Sequence, residues 1–147
     1  MYENQKKMIF KSRKDILFHI LIIGIVGMIL FRIFSNGIEN YEFIWTDILL
    51  LLVVGLLLWI YFGTEYELTE KELKYKSGPI RGRIEINNIK EIIKGKSLWS
   101  GLKPAMARNG LIVKYGKFDE IYISPKTNET FVKRIVEINK NIKITER

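Results

Sequence analysis

Residues able to do chemistry are few in this chain. Histidine occurs once, at His19, and cysteine is absent. Those counts exclude a thiolate metal site, a histidine-cluster metal site and a cysteine nucleophile. Ser124 has a hydroxyl but no histidine to activate it, because His19 lies within a long apolar stretch of a different region. Carboxylates fall at alternating positions of strand-like runs, without a pairing suited to acid–base work. No glycine-rich loop follows a strand and opens a helix. The reading is a protein that is not an enzyme and that needs no metal and no cofactor. Positive charge remains: 24 Lys and Arg stand against 16 Asp and Glu, a net +8.

Two groups of basic residues are candidates for binding. The segment Lys94–Asn109, KGKSLWSGLKPAMARN, combines Lys94, Lys96, Lys103 and Arg108 with Leu98, Trp99, Leu102 and Met106. Its glycines and proline mark a long loop. Such a loop either touches anionic headgroups with its lysines and dips Trp99 into the interface, or packs Leu98 and Trp99 beneath itself and leaves the lysines solvated. The second group, Lys74, Lys76, Arg81 and Arg83, surrounds one predicted turn. It reads as a phosphate or anionic-lipid site, or as a solvated face near an anionic leaflet. Nucleic acid is not expected as a partner, because Tyr66, Tyr75 and Tyr115 fall on inward positions rather than on a stacking platform.

These groups must be positioned by the elements around them. Residues 16–34 (ILFHILIIGIVGMILFRIF) and 43–62 (FIWTDILLLLVVGLLLWIYF) are apolar all round. At 1.5 Å per residue each spans close to the ~30 Å hydrocarbon core. Two transmembrane helices are expected, joined by an external loop over 35–42. A cleaved signal peptide is not expected, since no alanine precedes Ala105 to supply a small-residue cleavage site. The tail, residues 1–15, carries Lys6, Lys7, Lys11, Arg13 and Lys14, whereas the loop carries Glu39 and Glu42 and no basic residue. The positive-inside rule then puts both termini in the cytoplasm, with the protein in the cell membrane. Arg32 and Asp47 lie at similar depth beside the loop. They form an interhelical ion pair, line an outward ligand site, or snorkel separately to the outer headgroups. Trp45, Trp59, Tyr61 and Phe62 read as interfacial belts, and His19 as a boundary residue.

From residue 64 the period changes to two. Tyr66 and Leu68, Leu73 and Tyr75, Ile84 and Ile86, Leu111 to Tyr115, and Ile121 and Ile123 mark half-buried strands. Ile89, Ile92 and Ile93 predict a further strand or a short helical turn. Phe131, Ile135 and Ile138 recur at helical spacing, and either Ser124-Pro125 or Thr127-Asn128 begins that helix. The expectation for 64–147 is a bent antiparallel sheet or barrel closed by one C-terminal helix. It carries 18 Lys and Arg against 11 Asp and Glu.

This stretch resembles a bacterial pleckstrin-homology-like (PH-like) domain of the YyaB-like family. The resemblance rests on Thr64-Glu65-Tyr66-Glu67-Leu68-Thr69 with Leu73, the Gly78-Pro79 turn, Ile84-Glu85-Ile86 with Ile89 and Ile92, and Ile123-Ser124-Pro125-Lys126 with Phe131. It covers roughly residues 64–142, and two preceding helices fit the family's arrangement. The family implies a fold and no activity. In layout alone the chain is also similar to bacteriocin immunity proteins of Gram-positive bacteria, the sublancin immunity protein among them.

The functional expectation is a membrane-anchored binding or scaffolding module that recognises a protein partner or anionic lipid at the inner leaflet. The alternative is an immunity protein whose partner is a bacteriocin or its target.

Overall fold

The computed structural model describes residues 7–36, 45–96 and 102–146. Trp99 and most of the loop expected at 35–42 lie outside the described residues.

Two antiparallel helices leave the domain and return to it. Helix α1 covers Ile16–Asn36 and α2 covers Trp45–Gly63. Both are long and apolar enough to cross a membrane. Helix α1 runs on through Ser35 and Asn36, two residues beyond the apolar stretch. Most of the large apolar side chains on both helices are exposed, so the protein core is not what buries them.

The remainder is mostly β. Strand β1 (Met8–Lys11) precedes α1, and β2 (Glu65–Leu68), β3 (Glu72–Ser77) and β4 (Ile80–Glu85) follow α2. These four form an antiparallel sheet in the order β1-β2-β3-β4. Its inner face carries the row Phe10, Tyr66, Tyr75, Gly82 and the row Met8, Leu68, Leu73, Ile84. Residues 8–11 of the tail, read from sequence as a basic cytoplasmic segment, thus supply an edge strand. Met8, Ile9 and Phe10 are all apolar, so the strand shows no alternation in sequence. Their partner, β2, lies on the far side of both helices.

A second sheet has the order β7-β6-β5-β8. It contains β5 (Ile89–Lys94), β6 (Leu111–Tyr115), β7 (Asp119–Ile123) and β8 (Lys143–Glu146), with β8 parallel to β5. Of the two forms expected for Ile89, Ile92 and Ile93, the strand is the one present, β5, and a 3-10 turn over Ile86–Asn88 precedes it. Helix α3 (Asn128–Ile138) begins after Thr127, and Phe131, Val132 and Ile135 pack on the core shared by both sheets. The opposite face of the second sheet is also covered. Ile93, Ile112 and Tyr122 pack with Ala105, and Leu102 bridges to Ile121. Burial on both faces explains why Leu-Ile-Val in β6 reads as a continuous apolar run rather than an alternation.

The β3–β4 turn fixes the domain to α2. Gly78 has φ +55°, and a side chain there would run into Ile60. Glycine therefore meets both the turn's backbone demand and the close approach of the helix. Beside it, the Thr64 hydroxyl donates to the Ile60 carbonyl (2.6 Å) and accepts from Ser77 (2.9 Å).

Candidate functional site

Strand directions divide the domain into two ends. Because α2 finishes at Gly63 and β2 starts at Glu65, the Glu65 end of the first sheet lies against the helices. Lys11, Lys76 and Arg81 occupy the same cross-strand row as Glu65. In the second sheet, Lys94, Leu111 and Ile123 share a row. Ile123 leads into Ser124, whose hydroxyl meets that of Ser12, so this row also lies at the helix-proximal end.

The basic candidates divide between paired and unpaired. Lys74 sits on the outer face near Glu67 (3.6 Å) and Glu72 (3.8 Å), and Arg83 is 3.9 Å from Glu72. This pair serves the sheet surface, as cross-strand charges commonly do. Lys76 and Arg81 face each other across β3 and β4 and make no ion pair among the described residues. Lys94 lies in β5, not in a loop, with its ammonium 2.6 Å from the Glu146 carboxylate of β8. Lys94 holds that carboxyl below its ordinary value. Lys96 and Lys103 are exposed and without an ion pair among the described residues. Arg108 donates from Nε to Asp15 at 3.0 Å, tying the β5–β6 connection to the start of α1 and lowering the Asp15 pKa.

Sequence reasoning missed what the tail brings to this end. Lys14 Nζ stands 3.6 Å above the Tyr61 ring, a cation–π contact between the start of α1 and the end of α2. Arg13 donates to the carbonyls of Arg108 (2.7 Å) and Asn109 (2.9 Å). His19 bridges the helices, with Nδ1 3.0 Å from the Asp15 carbonyl and Nε2 2.9 Å from the Tyr61 hydroxyl. A carbonyl only accepts, so Nδ1 is the donor to Asp15. At the opposite end of the helices, Arg32 Nη1 lies 2.6 Å from Asp47 Oδ1.

Behind the basic rim is a buried polar knot. Ser12 and Ser124 hydroxyls are 2.9 Å apart. The Tyr66 hydroxyl donates to the Pro104 carbonyl (2.6 Å) and accepts from the Ser124 amide (3.0 Å). The Met106 amide donates to Ser124 Oγ. Burial pushes the Tyr66 hydroxyl pKa up. Ile123-Ser124-Pro125-Lys126 is thus the stretch that receives the N-terminal segment: the Arg13 backbone amide donates to the Ser124 carbonyl, and the Lys126 amide to the Lys11 carbonyl. The knot is structural, and no nucleophile–base pair arises from it.

Ionic and hydrogen-bonding groups thus gather on the β scaffold beside two apolar helices. The chain belongs to the bacterial PH domain family, whose match covers residues 64–139. It is 30% identical over 142 residues to the "Uncharacterized protein YyaB" of Bacillus subtilis (strain 168), covering 92% of this chain and 95% of that one. A crystal structure of the C-terminal domain of an unknown protein from Leishmania infantum is also similar, at 23% identity and a TM-score of 0.41. That alignment covers 51% of this chain and 66% of the other. The family points to a binding or scaffolding module, and PH-like domains are generally non-catalytic.

Proposed function

We propose that this protein is a two-pass membrane protein whose PH-like domain is held at the cytoplasmic leaflet to receive a partner there. In this reading α1 and α2 cross the bilayer, and the tail and the C-terminal domain lie on the same side. The pairing of β1 with β2 supports it. A strand before α1 and a strand after α2 share one sheet, so a helical hairpin between them returns the chain to its starting side.

The observation that carries the functional reading is the position of the cations that make no ion pair among the described residues. Lys14, Lys76, Arg81, Lys96 and Lys103 collect at the helix-proximal end, where an anionic leaflet would meet them. Each basic side chain near such a surface contributes about 1 kcal/mol, so a handful orients a tethered domain without a dedicated pocket. The distal end and the β4 and β8 edges are then left for a protein partner.

The test uses the full-length chain in proteoliposomes. A fluorophore on Lys96→Cys reports depth by quenching from spin-labelled lipid. Quenching should be greater with phosphatidylglycerol than with phosphatidylcholine alone and should fall as salt rises. Equal quenching in both lipids would remove the electrostatic reading.

A further inference from the structure

A hollow of about 350 Å³ separates the first turns of α1 from the β5–β6 connection. Leu17, Phe18 and Leu21 form one wall, and Lys103, Met106 and Arg108 stand on the other. Leu17 and Leu21 lie one helical turn apart on the same face, and both are about half exposed. Met28 continues that face further along α1 and is likewise exposed. Asp15 is the single acidic residue of the wall and is already engaged by Arg108, so Lys103 has no counter-charge among the described residues.

From this juxtaposition we infer that the hollow is a site for one anionic glycerophospholipid, its phosphate between Lys103 and Arg108 and one acyl chain along Leu17, Leu21 and Met28. Charge complementarity selects the headgroup. The apolar wall selects a ligand that arrives from the bilayer, because it is continuous with the outer surface of α1. A soluble phosphate would leave Leu17 and Leu21 in water. The inference rests on the reading that α1 lies in lipid, but it asks for more than surface attraction: a single occupant in a defined place.

The experiment is native mass spectrometry of the full-length chain in detergent, titrated with phosphatidylglycerol, phosphatidylcholine or sn-glycerol 1-phosphate. One phosphatidylglycerol adduct per chain is expected, with weaker phosphatidylcholine adducts and none from the soluble phosphate. Ala107 also lines the hollow, and Ala107→Trp fills it without altering charge; the adduct should disappear. Lys103→Gln, at an exposed position chosen to leave the fold intact, should weaken it about fivefold. If Ala107→Trp does not fold, Lys103→Gln decides alone. Equal retention of both lipids, equal binding by glycerol phosphate, or an unaffected adduct in the folded variants would overturn the proposal. A failure confined to these variants, with salt-sensitive quenching of Lys96→Cys intact, would remove the hollow and leave the broader rim standing.

Discussion

Ser12 and Ser124 share a buried hydrogen bond of 2.9 Å although 112 positions separate them in sequence. One lies ahead of both apolar helices and the other in the motif that leads into α3. The contact turns a stretch of tail into part of the domain. Removing the Ser124 hydroxyl leaves the Met106 amide without its acceptor. Ser124→Ala is expected to lower stability by about 1–3 kcal/mol, the penalty for a buried group left unsatisfied. Ser12→Ala should lower it less, and the double variant should fall short of the sum, because the two act in one network. Chemical denaturation of the full chain in detergent, followed by intrinsic fluorescence, measures all three. A neutral Ser12→Ala would contradict the role given to the tail.

The same logic predicts what a minimal domain requires. Residues 64–147 alone lack β1 and leave the β2 edge open. Phe10, which packs edge-to-face on Phe131 at 5.2 Å, would be missing from the core. Ser12 and Thr64 are joined by a backbone hydrogen bond of 3.2 Å, so a short Gly/Ser linker can replace the helical hairpin. The joined chain, residues 7–14 linked to 64–147, should give a dispersed amide spectrum. Residues 64–147 alone should aggregate or melt earlier. In the full chain, Phe10→Ala should lower stability by about 2–4 kcal/mol, less than a fully buried phenylalanine at the upper end.

Much of this fold is legible from sequence, and the exceptions share a cause. Helices α1 and α2 announce themselves by length and uniform apolarity. Strands β2 and β3 do so by strict alternation, and α3 by helical spacing. Strand β1 is apolar at Met8, Ile9 and Phe10 alike and β8 has one large apolar residue, Ile144, so neither shows alternation, and each is defined by a partner many residues away. The candidate cations are legible as a composition but not as a pattern. Whether a lysine is free or paired depends on β8 for Lys94, on β2 for Lys74 and on the start of α1 for Arg108. The likeness to immunity proteins was one of layout, and no residue described above adds to it.

At the far end of the helices, Asp47 is almost fully buried while Arg32 keeps 30% of its side chain exposed. The two changes should therefore differ in effect. Arg32→Gln takes the guanidinium from a buried carboxylate and should destabilise by about 3 kcal/mol, the low end for breaking a buried pair. Asp47→Asn should have a smaller effect, because an arginine near a helix end can extend toward the headgroups. Thermal melting in detergent gives the order, and the reverse order would contradict this arrangement.

Acid should loosen the clasp of the tail. The Lys7 ammonium, 2.9 Å from Glu67, holds that carboxyl below its ordinary 4.5, and Lys94 does the same for Glu146. A lowered folded-state pKa contributes stability that is present above the unfolded value and lost as pH falls through the folded one. The melting temperature should be level from neutral pH to about 5 and decline below 4.5. Glu67→Gln should flatten part of that decline. Glu146 is exposed and Glu67 partly so, and both lie at the surface, so the effect should be small and should shrink in high salt.

The absence of cysteine makes every introduced thiol a unique reporter. Lys7→Cys, Asn40→Cys and Lys140→Cys, each alone in the full chain, can be exposed to a membrane-impermeant maleimide on intact cells. The account predicts labelling at position 40 only, with positions 7 and 140 reacting together once the membrane is permeabilised. Labelling of either position 7 or position 140 on intact cells, or recovery of the chain in the soluble fraction, would contradict a domain clasped from both ends of a membrane hairpin.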